Sequence, residues 1–109
     1  MRINIAKDFS EIPGGRKIEE GPYSGQQFRE EILFPAYKKI KESSEKLEIN
    51  FDGSYGYSPS FLDEAFAGLV RETKEIGILD KIVIISNDDA SVERKIKDYV
   101  NQAESKIRE

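Results

Sequence analysis

Apolar residues recur along this chain at two different spacings, and the switching between them predicts an α/β fold. Ile3 and Ile5, set against Arg2 and Asn4, have the every-second-residue spacing of a short strand. Pro13-Gly14-Gly15 supplies a turn, after which Arg16-Lys17-Ile18-Glu19 is expected to return as the second arm of a hairpin. Gly21-Pro22-Tyr23-Ser24 ends that arm. Ser24 and Gln27 then have the spacing of a capping box, in which each side chain satisfies a free amide near the helix start, with Tyr23 and Phe28 at the two staple positions. The helix so opened carries Phe28, Ile32, Leu33, Ala36, Tyr37 and Ile40 on its buried face. Pro35 has no amide proton for the carbonyl of Glu31 and its ring crowds the preceding turn, so a kink or two helical pieces is expected.

Leu47, Ile49 and Phe51 alternate with polar neighbours as a half-buried strand, and Phe61, Leu62, Ala65, Phe66, Leu69 and Val70 mark a helix from about Ser60 to Ile76. Gly77 is placed to terminate it in the left-handed conformation. Ile82-Val83-Ile84-Ile85 is a continuous β-branched run, expected as a central strand covered on both faces. After a turn at Ser86-Asn87-Asp88-Asp89, a last helix carries Val92, Ile96, Tyr99, Val100, Ala103 and Ile107 on one stripe. The reading is a single domain over residues 1–109, a mixed sheet of about four strands with three helices. A strand, helix and strand in succession imply a right-handed crossover, so 47–51 and 82–85 should be parallel neighbours.

Composition narrows the function. The chain has 109 residues, 38% of them apolar, enough for one core. Its 17 basic and 21 acidic side chains leave a net charge of −4, and the basic residues lie among acids, which disfavours nucleic acid and anionic membranes as partners. No apolar run approaches the roughly 20 residues that cross a bilayer, and a cytoplasmic location is expected. Cysteine and histidine are both absent. Disulfides, thiol catalysis and the commonest zinc ligands are thereby excluded, the usual general base is missing, and no cofactor or metal is implied.

The densest chemistry lies between the strand ending at Phe51 and the helix beginning near Ser60, at the rim where strand carboxyl ends meet helix amino ends. Either Ser58 caps the helix, with Pro59 at its first position, or Ser60 does, with Asp63 as a capping acid. Either serine is also a candidate for phosphorylation. Asp52, Asp63 and Glu64 form an oxygen set of the kind that binds Mg²⁺, although Asp52-Gly53 reads equally as a turn and the other two as complements of the helix dipole. Arg16, Ser24 and Arg29 are candidates for holding an anion, the arginines alternatively pairing with Asp52 or an acidic partner. Tyr55 and Tyr57 belong to a loop polar enough to leave one ring exposed as a contact anchor.

The segments GPYSGQQFREEIL, FDG and SPSFLDEAFAGLV resemble the small family of bacterial and phage-associated STAS-like proteins, whose wider relatives are the STAS domains of anti-anti-sigma factors and anion-transporter tails. In those relatives a strand aspartate leads to an Asp-Ser-Ser-Gly-Leu-like helix start whose first serine is phosphorylated by a partner kinase. Ungapped, the pattern lays Asn50 on the strand aspartate, Ser58 on the loop aspartate, Pro59 on the phosphorylated serine, Ser60 on the second serine and Leu62 on the leucine. Pro59 has no hydroxyl, so only Ser58 or Ser60 is left to take that role.

The resemblance implies a non-enzymatic regulatory or adaptor module that binds a partner protein, of the kinase or ATPase type. The expected surface is residues 52–67, with Tyr55, Tyr57, Ser58, Ser60, Asp63, Glu64 and Ala67 on the exposed side of the second helix. The alternative is a sensor for a nucleotide or other anion at helix N-termini. Self-association stays open.

Overall fold

The computed structural model describes all residues, 1–109. Three strands, β1 (Arg2–Asn4), β2 (Leu47–Asn50) and β3 (Ile82–Ile85), form one parallel sheet in the order β1-β2-β3. The register aligns Ile3 with Ile49 and Ile49 with Ile84. Four helices accompany it: the single turn α1 (Ile5–Asp8), α2 over residues 25–40, α3 over residues 59–73, and α4 (Ser91–Arg108). The α/β class and the parallel pairing of β2 with β3 agree with the pattern of the chain, whereas the strand count, the helix count and the mixed sheet do not.

The expected hairpin is absent. Arg16–Glu19 forms no strand; Ile18–Glu20 is a 3-10 turn with Ile18 exposed. An arm with one apolar residue has no face to bury, and its amides and carbonyls are used elsewhere. Gly25 N–H donates to Gly15 O and Gln26 N–H to Arg16 O, which fastens this loop to the start of α2.

The placement of β3 also differs from the expectation. It is an edge strand, Val83 is 40% exposed, and the more polar β2 is central. Two right-handed crossovers stepping the same way put α2 and α3 on one face of the sheet. The other face is open, so a central strand may alternate: Leu47 and Ile49 are fully buried, while Glu48 and Asn50 face outward and Glu48 pairs with Arg2 at 3.5 Å.

Helices α2 and α3 each contain a wide π turn. In α2 it spans Arg29–Leu33, and Phe34 N–H donates five residues back to Arg29 O. It ends two residues before Pro35, which lacks the proton that an α-helical turn would demand there. The helix is thus broken into α, π and α pieces. In α3 the π turn spans Asp63–Ala67 and involves no proline.

Helix α3 ends at Thr73, four residues before Gly77. Lys74 takes the left-handed conformation (φ 60°), and its N–H donates to Val70 O. For a residue with a Cβ this costs roughly 1 kcal/mol. Gly77 (φ 92°) instead opens the 3-10 turn Ile78–Lys81 that leads into β3.

The core lies between the sheet and the helices, where Phe28, Phe61 and Phe66 are completely buried among Ile49, Leu62, Leu69 and Ile96. Phe9 packs edge-on to both Tyr23 and Phe28, so it bridges the two staple residues. Close approach of α2 to α3 depends on Gly25: a Cβ there would sit 2.5 Å from Phe61 O. No helix is long and apolar enough to cross a membrane.

Candidate functional site

Residues 52–58 leave β2 and cross its carboxyl end before α3 begins. The loop is short and polar, yet almost every group at its base has a partner. Asp52 N–H donates to Asn50 Oδ1 (2.8 Å), and the Asp52 carboxylate accepts from Asp88 N–H (2.8 Å) and Asn87 Nδ2 (3.0 Å). Gly53 N–H, at φ 91°, returns a bond to Asp88 Oδ2 (3.0 Å). The two aspartates therefore lock the ends of β2 and β3 together, and Asp52-Gly53 is a turn. Asp88 belongs to the turn after β3; the sequence marked it as turn-forming, and its position beside Asp52 follows from the parallel pairing of the strands.

Farther along, Tyr55 N–H donates to Glu11 O (2.8 Å), while the Tyr55 ring is 83% exposed. Tyr57 turns the other way. Its ring packs edge-on to Phe51, and its hydroxyl donates to Phe51 O (2.8 Å). Burial, together with the nearby carboxylates of Asp52 and Asp88, holds its pKa above the usual tyrosine range. A cavity of about 230 Å³ lies beside this loop, between Tyr55, Tyr57, Ser86 and Asp88.

Ser58 is the cap of α3: its Oγ accepts from Phe61 N–H (3.1 Å) and donates to Gly14 O (3.2 Å), with Pro59 at the first helical position. Tyr57 also packs against Phe61 in the first turn of α3, ring centroids 5.8 Å apart. Ser60, one position into the helix, is half-buried and lines a cavity of about 190 Å³ with Arg16 and Asp63.

Beyond Asp63, which is half-buried, the next positions of α3 do not face solvent as a docking edge would. Glu64 is 6% exposed and Ala67 fully buried, so neither lies on the exposed side of the helix. Glu64 is held by Arg29 at 2.6 Å and Lys17 at 3.4 Å. Burial alone would raise its pKa, but the Arg29 hydrogen bond and charge, with Lys17, outweigh it and hold the carboxylate below its usual range. Arg29 also donates to the backbone carbonyl of Glu64 (2.6 Å), a group inside the π turn, and reaches Glu72 at 3.1 Å. A methyl group at Gly68 would collide with its guanidinium, so glycine there is what lets the arginine cross the helix. Asp63 is shared by Arg16 (2.6 Å) and Arg71 (3.6 Å), and the hydrogen bond to Asp63 raises the pKa of Arg16.

This arrangement corrects several expectations. Arg16 and Arg29 pair with Asp63, Glu64 and Glu72, not Asp52. Ser24 is completely buried and its Oγ accepts from Gln27 N–H (3.0 Å), while Gln27 Oε1 accepts from Tyr23 N–H (2.9 Å), so the capping box consumes the predicted anion cradle. Asp52 stands at the rim and Asp63 and Glu64 in the ion cluster; no group of three or more acids lies close enough to hold a metal ion. The sequence did not single out Lys17, Arg71 or Glu72; Arg71 reaches Asp63 along α3 itself, whereas Glu72 meets Arg29 because α2 and α3 pack at Gly25 and Gly68.

Among known protein families, residues 24–92 match the STAS-like domain of unknown function (DUF4325). Neither a curated protein nor a solved structure matches the chain significantly. The matched segment runs from the cap of α2 through β2, the rim loop and α3 to the start of α4, more than half of the chain. The chain belongs to the family of STAS-like domains of unknown function.

Proposed function

We propose that this domain is a non-enzymatic adaptor that docks a partner protein, of the kinase or ATPase type, on the rim formed by residues 52–60 with Asp63. A regulatory or adaptor role of this general kind is consistent with membership of the STAS-like family. The observation that carries the reading is Tyr55, 83% exposed on a loop tied down at Glu11 and Asp88 through its backbone amides and at Phe51 through the Tyr57 hydroxyl. An aromatic side chain held out on a pre-ordered loop loses little entropy on binding and offers a large contact area, the usual make-up of a binding anchor. Tyr57 and Ser58 serve the same surface from beneath by fixing the loop and the helix start. Glu64 and Ala67, being buried, drop out of it.

Ser60 is the better placed of the two candidate phosphorylation sites. Ser58 Oγ is committed to a cap and to Gly14 O, whereas a phosphate on Ser60 would lie in the first turn of α3 with Arg16 close by. Affinity capture from the native host tests the adaptor reading. A specific protein retained by the wild-type domain and lost with Tyr55→Ala supports it; capture of that protein unchanged by Tyr55→Ala overturns the rim as the docking surface.

A further inference from the structure

We propose that the trough between α3 and α4 receives an extended acidic segment of a partner protein, carrying at least one apolar side chain. The inference rests on the adaptor reading and adds the chemistry of the partner and a second line of contact. The trough has a cavity of about 550 Å³, and it continues into the smaller cleft beside Ser60 because the two share Asp63, Tyr99 and Gln102. From Pro59 to Lys74 its α3 wall is about 22 Å long at roughly 1.5 Å of rise per residue. That matches about seven residues of extended chain at roughly 3.3 Å each, longer than a single phosphate or carboxylate ligand would occupy.

Charge selects the occupant. The chain as a whole carries −4, but Arg71, Lys74 and Lys106 line this trough against Asp63 alone. Asp63 is already shared by Arg16 and Arg71, and neither Lys74 nor Lys106 has a carboxylate within ion-pair distance. Cations at a helix C-terminus also complement the dipole, which accounts for one or two of them. It does not account for Lys74 at a left-handed position, where glycine would be free of strain. Its ammonium stands exposed beside the trough with no counter-charge of its own. The floor is formed by Tyr99, Ala103 and Ile107, of which the small Ala103 leaves room for an apolar side chain from above.

Amide NMR on the whole chain, titrated with a short synthetic peptide of aspartate and glutamate flanking a central leucine, tests this directly. The expected result is shifts at Arg71, Lys74, Tyr99, Ala103 and Lys106, with affinity reduced roughly tenfold or more in the exposed double variant K74E/K106E and by added salt. Four results overturn the proposal: no shifts, shifts that persist in the variant, equal shifts from the same peptide with lysine replacing the acids, or equal shifts from inorganic phosphate. Capture from the native host separates the two readings. A partner lost with Tyr55→Ala but kept by K74E/K106E leaves the adaptor standing and removes the acidic segment.

Discussion

Two polar regions flank the first turns of α3, and they are built on opposite principles. The rim loop is anchored at its base and turns Tyr55 outward; the cluster of Arg16, Lys17, Arg29, Asp63, Glu64 and Glu72 turns charge inward between α2 and α3. Chemically the cluster is the more conspicuous, since it holds a buried carboxylate with a lowered pKa. Such a group is often functional, but here each of its charges has a partner supplied by the fold itself. Arg29 closes a gap that the π turn creates, by donating to the carbonyl of Glu64. The contrast teaches that the groups left for an external partner are those the fold has not used: the Tyr55 ring, the Ser60 hydroxyl, Lys74 and Lys106.

Removing Arg29 tests the structural assignment most severely. Arg29→Ala leaves Glu64 buried without its main counter-charge and strips the Glu64 carbonyl of its donor, so a loss of about 3–5 kcal/mol in urea unfolding is expected. A loss below about 1 kcal/mol, within the range of exposed ion pairs, would place the cluster at the surface in energetic terms and break the contrast. Glu64 also predicts a pH dependence. Its folded pKa lies below the unfolded value of roughly 4.3, so it contributes stability that is fully present above that value and is lost as pH falls through the folded pKa. Glu64→Gln should flatten this part of the acid limb in unfolding curves taken at successive pH values.

What was readable from the chain divides along similar lines. Local rules served well where a side chain acts on its own backbone: the Ser24–Gln27 box and the interruption before Pro35 are both present. They were less reliable where distance in sequence matters. The run Ile82–Ile85 has the composition of a covered strand, but its place at the edge is set by the direction of two crossovers, which no single segment encodes. Gly77 looked like a helix stop because glycine is the usual left-handed residue, yet Lys74 takes that conformation first. At the site, Tyr55 was visible as an aromatic in a polar loop. Glu64 and Ala67 were misplaced because the π turn over Asp63–Ala67 shifts which residues face α2, and that turn has no proline to announce it. The arginines were assigned Asp52 or an acidic partner as counter-charge, whereas packing at Gly25 and Gly68 brings Arg29 to Glu64 and Glu72.

A middle-sized effect separates the two candidate caps. Ser58→Ala removes the acceptor for Phe61 N–H and the donor to Gly14 O, and a loss of roughly 1–2 kcal/mol is expected in thermal or urea unfolding. Ser60→Ala, whose hydroxyl caps nothing, should stay within about 0.5 kcal/mol of wild type in the same measurement. Equal costs for the two would mean that the start of α3 is shared between them, and the reason for preferring Ser60 as the modifiable serine would be gone.

The smallest expected effect is the most discriminating. Tyr55 donates only its backbone amide to the fold, and its ring rests in solvent, so Tyr55→Ala should leave the unfolding free energy within about 0.5 kcal/mol of wild type. An aromatic ring that contributes nothing to folding stability, on a loop held by the amides of Gly53 and Tyr55, is difficult to explain as structure alone. Were the variant to lose 2 kcal/mol or more, as buried aromatics do, the ring would have to pack against the rim in solution. The exposed anchor that distinguishes this region from the ion cluster would then be another internal strut, and both regions would serve the fold.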